Sequence, residues 1–185
     1  EDITIGAIWA VIISLIAIAL YILLRFRDVA FSVGTLVSLA FDTLIILSVY
    51  SIFNGLLPFS MEIDQTFIAA ILTNIGYSVN DKVVVFDRVR ENRKKLGNTD
   101  LAEIVNTSIT ETLSRSFNTS ITTLVMVLCL AVLGVDSIRQ FAVPMMAGII
   151  SGCYSSVCLA GTIWYFMNRS AQKKAKAKKA GNKKK

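Results

Sequence analysis

Among its 185 residues the sequence has no histidine. That excludes histidine-based catalytic triads, histidine metal ligands and the one side chain that ordinarily titrates near neutral pH. Any proton handling must therefore use carboxylates. Charge is scarce as well: 17% of the residues are Asp, Glu, Lys or Arg and 54% are apolar, against ~25% and ~45–50% for soluble globular domains. With a mean hydropathy of +0.62, the composition argues against a water-soluble domain. The three cysteines, Cys129, Cys153 and Cys158, lie in apolar stretches and form no CxxC pair, so they read as reduced packing residues. Neither a metal site nor a cofactor is expected. Glu1-Asp2-Ile3 carries neither an initiator Met nor the basic n-region of a signal peptide, which reads as part of a longer protein. No internal repeat or soluble domain is visible.

What the chain does have is apolar length. A membrane-crossing helix needs ~20 mostly apolar residues, and the apolar content suffices for about five. The fold class expected is all-α: a polytopic bundle of five transmembrane helices with a short cytoplasmic helical connection. The spans fall at about 3–24, 29–53, 66–86, 117–133 and 141–167, with the connection at 87–116, inside a membrane domain of residues 1–168. Asn54-Gly55-Leu56-Leu57-Pro58 and Gly134-Val135-Asp136-Ser137 carry turn signals. Gly97 reads as a helix stop, and Asp100 with Glu103 as an N-cap pair. They predict a short helix from about residue 100 on the membrane surface or against the bundle, separate from the span that starts near Phe117.

The formal charge of +6 belongs to a tail. Eight lysines lie between Lys173 and Lys185, and without them the body has 11 basic and 13 acidic residues, a charge of −2. The segment 169–185 reads as a solvated, disordered extension. Attraction to anionic lipid, or less readily to ribosomal RNA, are the alternatives. Arg25, Arg27, the cluster from Arg88 to Lys95, Arg115 and the tail share one side, and only Arg139 lies on the other. By the positive-inside rule the first side is cytoplasmic and Glu1 is external.

Two acids lie at membrane depth, where an ionisable group costs ~2.5–3.5 kcal/mol on insertion scales and so needs a partner or a polar path. Asp42 is mid-span, and Asp81 is about 9 Å inside the cytoplasmic boundary at 1.5 Å per residue. Lys82 points about 100° away from its neighbour, so Arg115, entering the fourth span, is the favoured partner of Asp81. A purely structural ion pair is an equal alternative, and Lys82 and Arg115 reaching to lipid phosphates is another. Tyr77, Ser78, Asn80 and Asp81 are expected to face Thr119, Ser120, Thr122 and Thr123 along a proton or water route, although such residues also serve as ordinary helix contacts. Gly148, Gly152, Ser156 and Ala160 recur every four residues, a surface for close packing within the chain or against another subunit.

From Gly76 to Asn92 the order Gly-Tyr-Ser-Val-Asn-Asp-Lys-Val-Val-Val-Phe-Asp-Arg-Val-Arg-Glu-Asn closely resembles the signature of the SecF branch of the SecD/SecF family. Tyr21 to Arg27, Asp42, Thr112-Leu113-Ser114-Arg115 and the small-residue stripe of the last span agree with it. The likeness covers about residues 3–167. It implies membership of the resistance-nodulation-division-like superfamily, location in the bacterial plasma membrane, and use of the proton-motive force to assist protein export. The partners it implies are SecD, the SecYEG channel, a YidC-type insertase, membrane lipids and the unfolded chains being translocated, with no specific nucleic acid. It also implies that a first span and an external domain precede this segment, either in a separate SecF or at the end of a SecD-SecF fusion.

Carried over by position, the family's membrane acid falls on Asp81 and its essential arginine on Arg115. Asp42 matches an acid usually preceded by histidine, where this chain has Phe41, and Lys82 stands where a small hydroxyl is common. The expectation is a proton-coupled translocase subunit, not an enzyme, in which Asp81 takes and releases a proton while Arg115 stabilises its ionised form. The alternatives are a passive membrane scaffold without ion transport and, far behind, an aspartyl protease using Asp42 and Asp81.

Overall fold

The computed structural model describes residues 2–53, 64–96 and 99–169. The turn at 54–58, Gly97 and the lysine tail lie outside them. The described residues form α1 (Asp2–Phe26), α2 (Val29–Phe53), α3 (Gln65–Lys95), α4 (Leu101–Leu133) and α5 (Asp136–Tyr154). α5 runs on through a π-helical segment, Ser155–Ala160, and returns to α-helix over 161–169. No strand occurs among the described residues, as expected for an all-α chain.

Four of these helices are long and apolar enough to cross a membrane: Trp9–Phe26, Val29–Phe53, Leu101–Leu133 and Asp136–Arg169. α3, read from sequence as a fifth span, does not meet that criterion. Asn74, Ser78, Asn80, Asp81 and Lys82 lower its mean hydropathy, and Asn74, Ser78 and Lys82 among them form a buried stripe. α3 packs against all four other helices, which surround these polar groups with protein.

One expectation is overturned. The short helix from about residue 100 and the span from Phe117 are one continuous helix of 33 residues, α4. No Gly or Pro occurs between Leu101 and Leu133, so nothing stops propagation through the polar stretch 106–116. Asp100 sits at the N-cap of α4 but its side chain makes no cap bond. An unforeseen cap is Asp64, which accepts from the Phe67 N–H at 2.9 Å and starts α3. The turn between α4 and α5 is also tighter than expected, since α5 begins at Asp136.

Short connections set the bundle's geometry. α1 closes with the Arg27 N–H donating to Leu23 O at 2.8 Å, and Arg27 takes a left-handed φ of 53°. That conformation costs a non-glycine residue about 1–2 kcal/mol. Asp28 then accepts from the Ala30 N–H at 3.0 Å to open α2. Arg27→Gly is therefore expected to raise the thermal midpoint by a few degrees, roughly 2–4 °C per kcal/mol relieved, as read by thermal unfolding in detergent.

The core has three apolar clusters. At the end where α1 meets α2, Ile22, Phe26, Phe31, Phe86, Val89, Ile104 and Trp164 pack together, with Phe31 stacked on Trp164 at 5.3 Å. At the far end Leu39, Ile46, Tyr50, Phe67, Ile71 and Ile75 form a second cluster. Val127, Ala142, Met145 and Ile149 form a third between α4 and α5. The first cluster gathers Arg25, Arg27 and the Arg88 to Lys95 segment at one end, where Arg93 lies 3.8 Å from Asp28 and over the Trp164 ring.

Gly148 and Gly152 are what allow α5 to lie against α3. A methyl on Gly148 would overlap the side-chain amide of Asn74, and one on Gly152 would come within 3.0 Å of Ser78 Oγ. Asn74 is fully buried and has no room to turn aside. Gly148→Ala is expected to cost about 1–3 kcal/mol by overpacking, and an unchanged denaturation midpoint would contradict this packing. Ala160 continues the stripe, with its carbonyl oxygen facing Gly34 of α2, and Ser156 donates to Gly152 O at 2.6 Å. The stripe is thus filled from within the chain.

Candidate functional site

The middle of the bundle, between the apolar clusters, holds a buried ion pair: Lys82 Nζ lies 2.9 Å from Asp42 Oδ2, with the two side chains 0% and 1% exposed. Helical spacing makes it possible. Asn74, Ser78 and Lys82 recur every four residues on the face of α3 that meets α5, and Asp42 lies on the inward face of α2. Three serines complete the group. Ser78 Oγ donates to Asp42 Oδ2 at 2.7 Å, Ser155 Oγ to the same oxygen at 2.9 Å, and Ser151 Oγ to Oδ1 at 2.7 Å. The ammonium donates to Asp42, to Ser78 Oγ and to Ser155 Oγ at 2.9 Å. Its three N–H donors are all used, and the carboxylate accepts four bonds, about its full capacity.

Ser155 opens the π-helical segment. Its N–H is shared between Ser151 O and Gly152 O, and its hydroxyl turns to the ion pair. Such π segments within α-helices occur often at functional sites.

Asp81, one residue before Lys82, points to a different neighbour. Ser116 Oγ of α4 donates to its Oδ1 at 2.6 Å, while Oδ2 is buried and has no hydrogen-bond partner among the described residues. The expected Asp81–Arg115 ion pair is not formed. Arg115 is exposed and lines a surface recess between α3 and α4 with Asp87, Arg88, Glu91 and Glu111. The error is one position on a helix: Ser116 is turned about 100° from Arg115, and that turn carries the serine inward and the arginine outward.

The expected polar route along α4 is also not assembled within this chain. Thr119, Thr122 and Thr123 bond back to the carbonyls of Arg115, Asn118 and Thr119 on their own helix. Asn80 is exposed, and Tyr77 packs beside Val127 and Met145. Of the residues expected there, Ser78 and Ser120 are buried, and Ser78 belongs to the Asp42 group. Cys129 and Cys158 are free and exposed and Cys153 is free and half-buried, so two of the three lie on the outer face instead of packing inside.

At the basic end a third polar group clamps α3 to α4. Arg88 Nε donates to Glu111 at 2.6 Å and Arg88 Nη1 to Glu91 at 2.6 Å. Asn92 Nδ2 reaches Glu111 at 2.7 Å and Ser108 Oγ at 3.0 Å, and Lys95 pairs with Glu91 at 2.6 Å. The bond from Asn92, then that from Arg88, holds the Glu111 carboxyl below its ordinary range. Lys95 and then Arg88 do the same for Glu91. A carboxyl whose folded-state pKa is lowered adds stability above its unfolded pKa and loses it as pH falls through the lowered value. Hydrogen-exchange protection around residues 104–112 is therefore expected to drop as pH falls below about 4, and to drop at neutral pH in Glu111→Gln.

The sequence reading missed the Asp42–Lys82 pair. The signal is present in the four-residue step from Ser78 to Lys82 and in the serines of the last span, but from sequence Lys82 reads as a cation that points away from Asp81 or reaches to lipid phosphates.

Comparison with known proteins follows the same outline. The family model "Protein export membrane protein SecD/SecF, C-terminal" matches residues 1–170. The chain is 47% identical to the protein translocase subunit SecF of Rhodothermus marinus over 163 residues, 88% of this chain and 53% of that protein. It is 42% identical to SecF of Haemophilus influenzae over 89% of this chain and 49% of that one. Its identity to SecDF of Thermus thermophilus is 41%, over 96% of this chain and 23% of that protein. A crystal structure of SecDF in a super-membrane-facing form superposes with a TM-score of 0.82 at 39% identity, covering 95% of this chain and 23% of that one. The chain therefore spans about half the length of the SecF relatives and under a quarter of the SecDF ones.

Proposed function

The chain belongs to the protein-export membrane protein SecD/SecF C-terminal family, and from that premise we propose that it forms the membrane part of a SecF-type translocase subunit. It sits in the bacterial plasma membrane with its basic end in the cytoplasm, α3 crosses as a fifth span shielded by the other four, and SecD is its partner. Through SecD it works beside the SecYEG channel and a YidC-type insertase on unfolded chains in transit. The names of its relatives support this role, and the gathering of basic residues at one end supports the orientation. It performs no bond-breaking chemistry: Asp42 and Asp81 belong to separate hydrogen-bond groups and do not share a proton as a protease dyad must.

Coupling to the proton-motive force rests on one observation. Asp81 has a buried carboxylate oxygen without a hydrogen-bond partner among the described residues, beside one held by Ser116. Such an acid can gain a proton without breaking an ion pair, whereas Asp42 cannot. Gain and loss of that proton change the local charge between α3 and α4, and a local charge change of this kind can bias a two-state element. The test is pulse-labelling of a secreted precursor in cells whose natural full-length protein carries Asp81→Asn: slowed maturation is expected, and unchanged maturation contradicts the reading.

A passive scaffold is the second reading, favoured by the full hydrogen bonding of Asp42 and Lys82. It requires that Asp81→Asn combined with Arg115→Met leave export assistance intact.

A further inference from the structure

We propose that the Lys82 ammonium is a tethered cation seated in an alkali-cation site formed by Asp42, Ser78 and Ser155, with Ser151 holding the second oxygen of the carboxylate, and that its presence keeps free Na+ and K+ out. This deepens the proton-coupled reading and rests on it for its functional meaning, but the binding claim stands on geometry alone.

The ammonium directs its N–H groups at side-chain oxygens. It is surrounded by oxygens: the Asp42 carboxylate at 2.9 Å, Ser155 Oγ at 2.9 Å and Ser78 Oγ, with Ser151 Oγ on the second carboxylate oxygen. Carboxylate, hydroxyl and carbonyl oxygens are the donors that hard, spherical cations take. Coupling-ion sites in transporters are built similarly, where a helix departs from regular α geometry at membrane depth, and Ser155 stands at such a departure. The charge count selects the valence. One carboxylate and two neutral hydroxyls at the cation position balance one positive charge, and a divalent ion would leave an unpaired charge in a buried site.

The tether explains why the ion does not exchange. Lys82 is 0% exposed and is covalently part of α3, so its effective concentration at the site cannot be matched by a dissolved ion. With the Asp42 site occupied in this way, the proton at Asp81 is the exchangeable cation left to the bundle.

Truncating the tether should convert the site into one for a dissolved ion. In the full-length natural protein, purified with its membrane partner, Lys82→Ala is compared with wild type, Lys82→Met and Asp42→Asn/Lys82→Ala. The probes are Na+ and K+, with choline as a cation too large for the cage. Equilibrium binding of radiolabelled Na+, or of Rb+ as the K+ surrogate, should reach about one ion per chain in Lys82→Ala and stay below roughly a tenth of that in the other three. The thermal midpoint of Lys82→Ala should also rise by about 3–6 °C in roughly 200 mM NaCl or KCl relative to choline chloride. No binding by a folded Lys82→Ala would overturn the proposal, as would equal binding by wild type. So would a Lys82→Ala protein that unfolds in every salt while the double variant folds, because the cage would then be unable to accept a free ion. None of these results bears on Asp81, whose role is read separately by export.

Discussion

Lys82→Met is expected to lower stability by about 3–5 kcal/mol, because it leaves the Asp42 charge buried without its counter-charge. The methionine is one atom shorter than the lysine but keeps most of its volume, so the loss is mainly electrostatic. In a chain of this size that is a fall of roughly 6–20 °C in thermal midpoint. The sign of the double variant is the informative part. Asp42→Asn/Lys82→Met removes both charges, leaves Asn Oδ1 to accept from the serines, and is expected to recover most of the loss, since buried pairs replaced as a unit are often near neutral. If Lys82→Met unfolded at the wild-type midpoint, the buried ion pair would not exist as described. If the double variant were as weak as the single one, the serine cluster would depend on the ammonium itself.

Asp81→Asn is expected to abolish the part of export that responds to the proton-motive force, at least about tenfold in the rate of that component, with the protein still folded. The energy available to each transferred proton is ~2.3 kcal/mol per 100 mV plus the pH gradient, and it can act only through a group that exchanges the proton. Asparagine preserves the shape and can keep the bond from Ser116 while removing the ionisable group and its charge. Asp81→Glu should retain part of the response. Ser116→Ala should retain more, because the carboxyl remains and only one of its bonds is lost. Stability should follow a different order from activity: neither Asp81 variant removes an ion pair, so neither is expected to approach the loss in Lys82→Met. Asp81→Asn with a full response to the proton-motive force would move the coupling elsewhere.

The helices were legible because apolar runs of about twenty residues have few alternatives. Asp42 and Asp81 stood out because charge at that depth is costly. What could not be read was the pairing. Asp42 and Lys82 are joined across 40 residues and Asp42 and Ser155 across 113, and both contacts depend on how α2, α3 and α5 turn about their axes. A rotation of one residue separates Ser116, which meets Asp81, from Arg115, which does not. The continuous α4 was missed for a different reason. Its polar residues 106–116 resemble a surface helix, but polar composition does not end a helix when no Gly or Pro interrupts it. The π segment has no sequence signal beyond its run of small residues, and it decides which face Ser155 presents.

The central claim is that Asp81 carries the coupled proton, and proton flux tests it most directly. The full-length protein, reconstituted together with SecD into vesicles containing a pH-sensitive dye, is given an imposed membrane potential. The account predicts internal pH change above that of empty vesicles with wild type and with Asp42→Asn/Lys82→Met, and none above that background with Asp81→Asn. Equal flux with wild type and Asp81→Asn would contradict it.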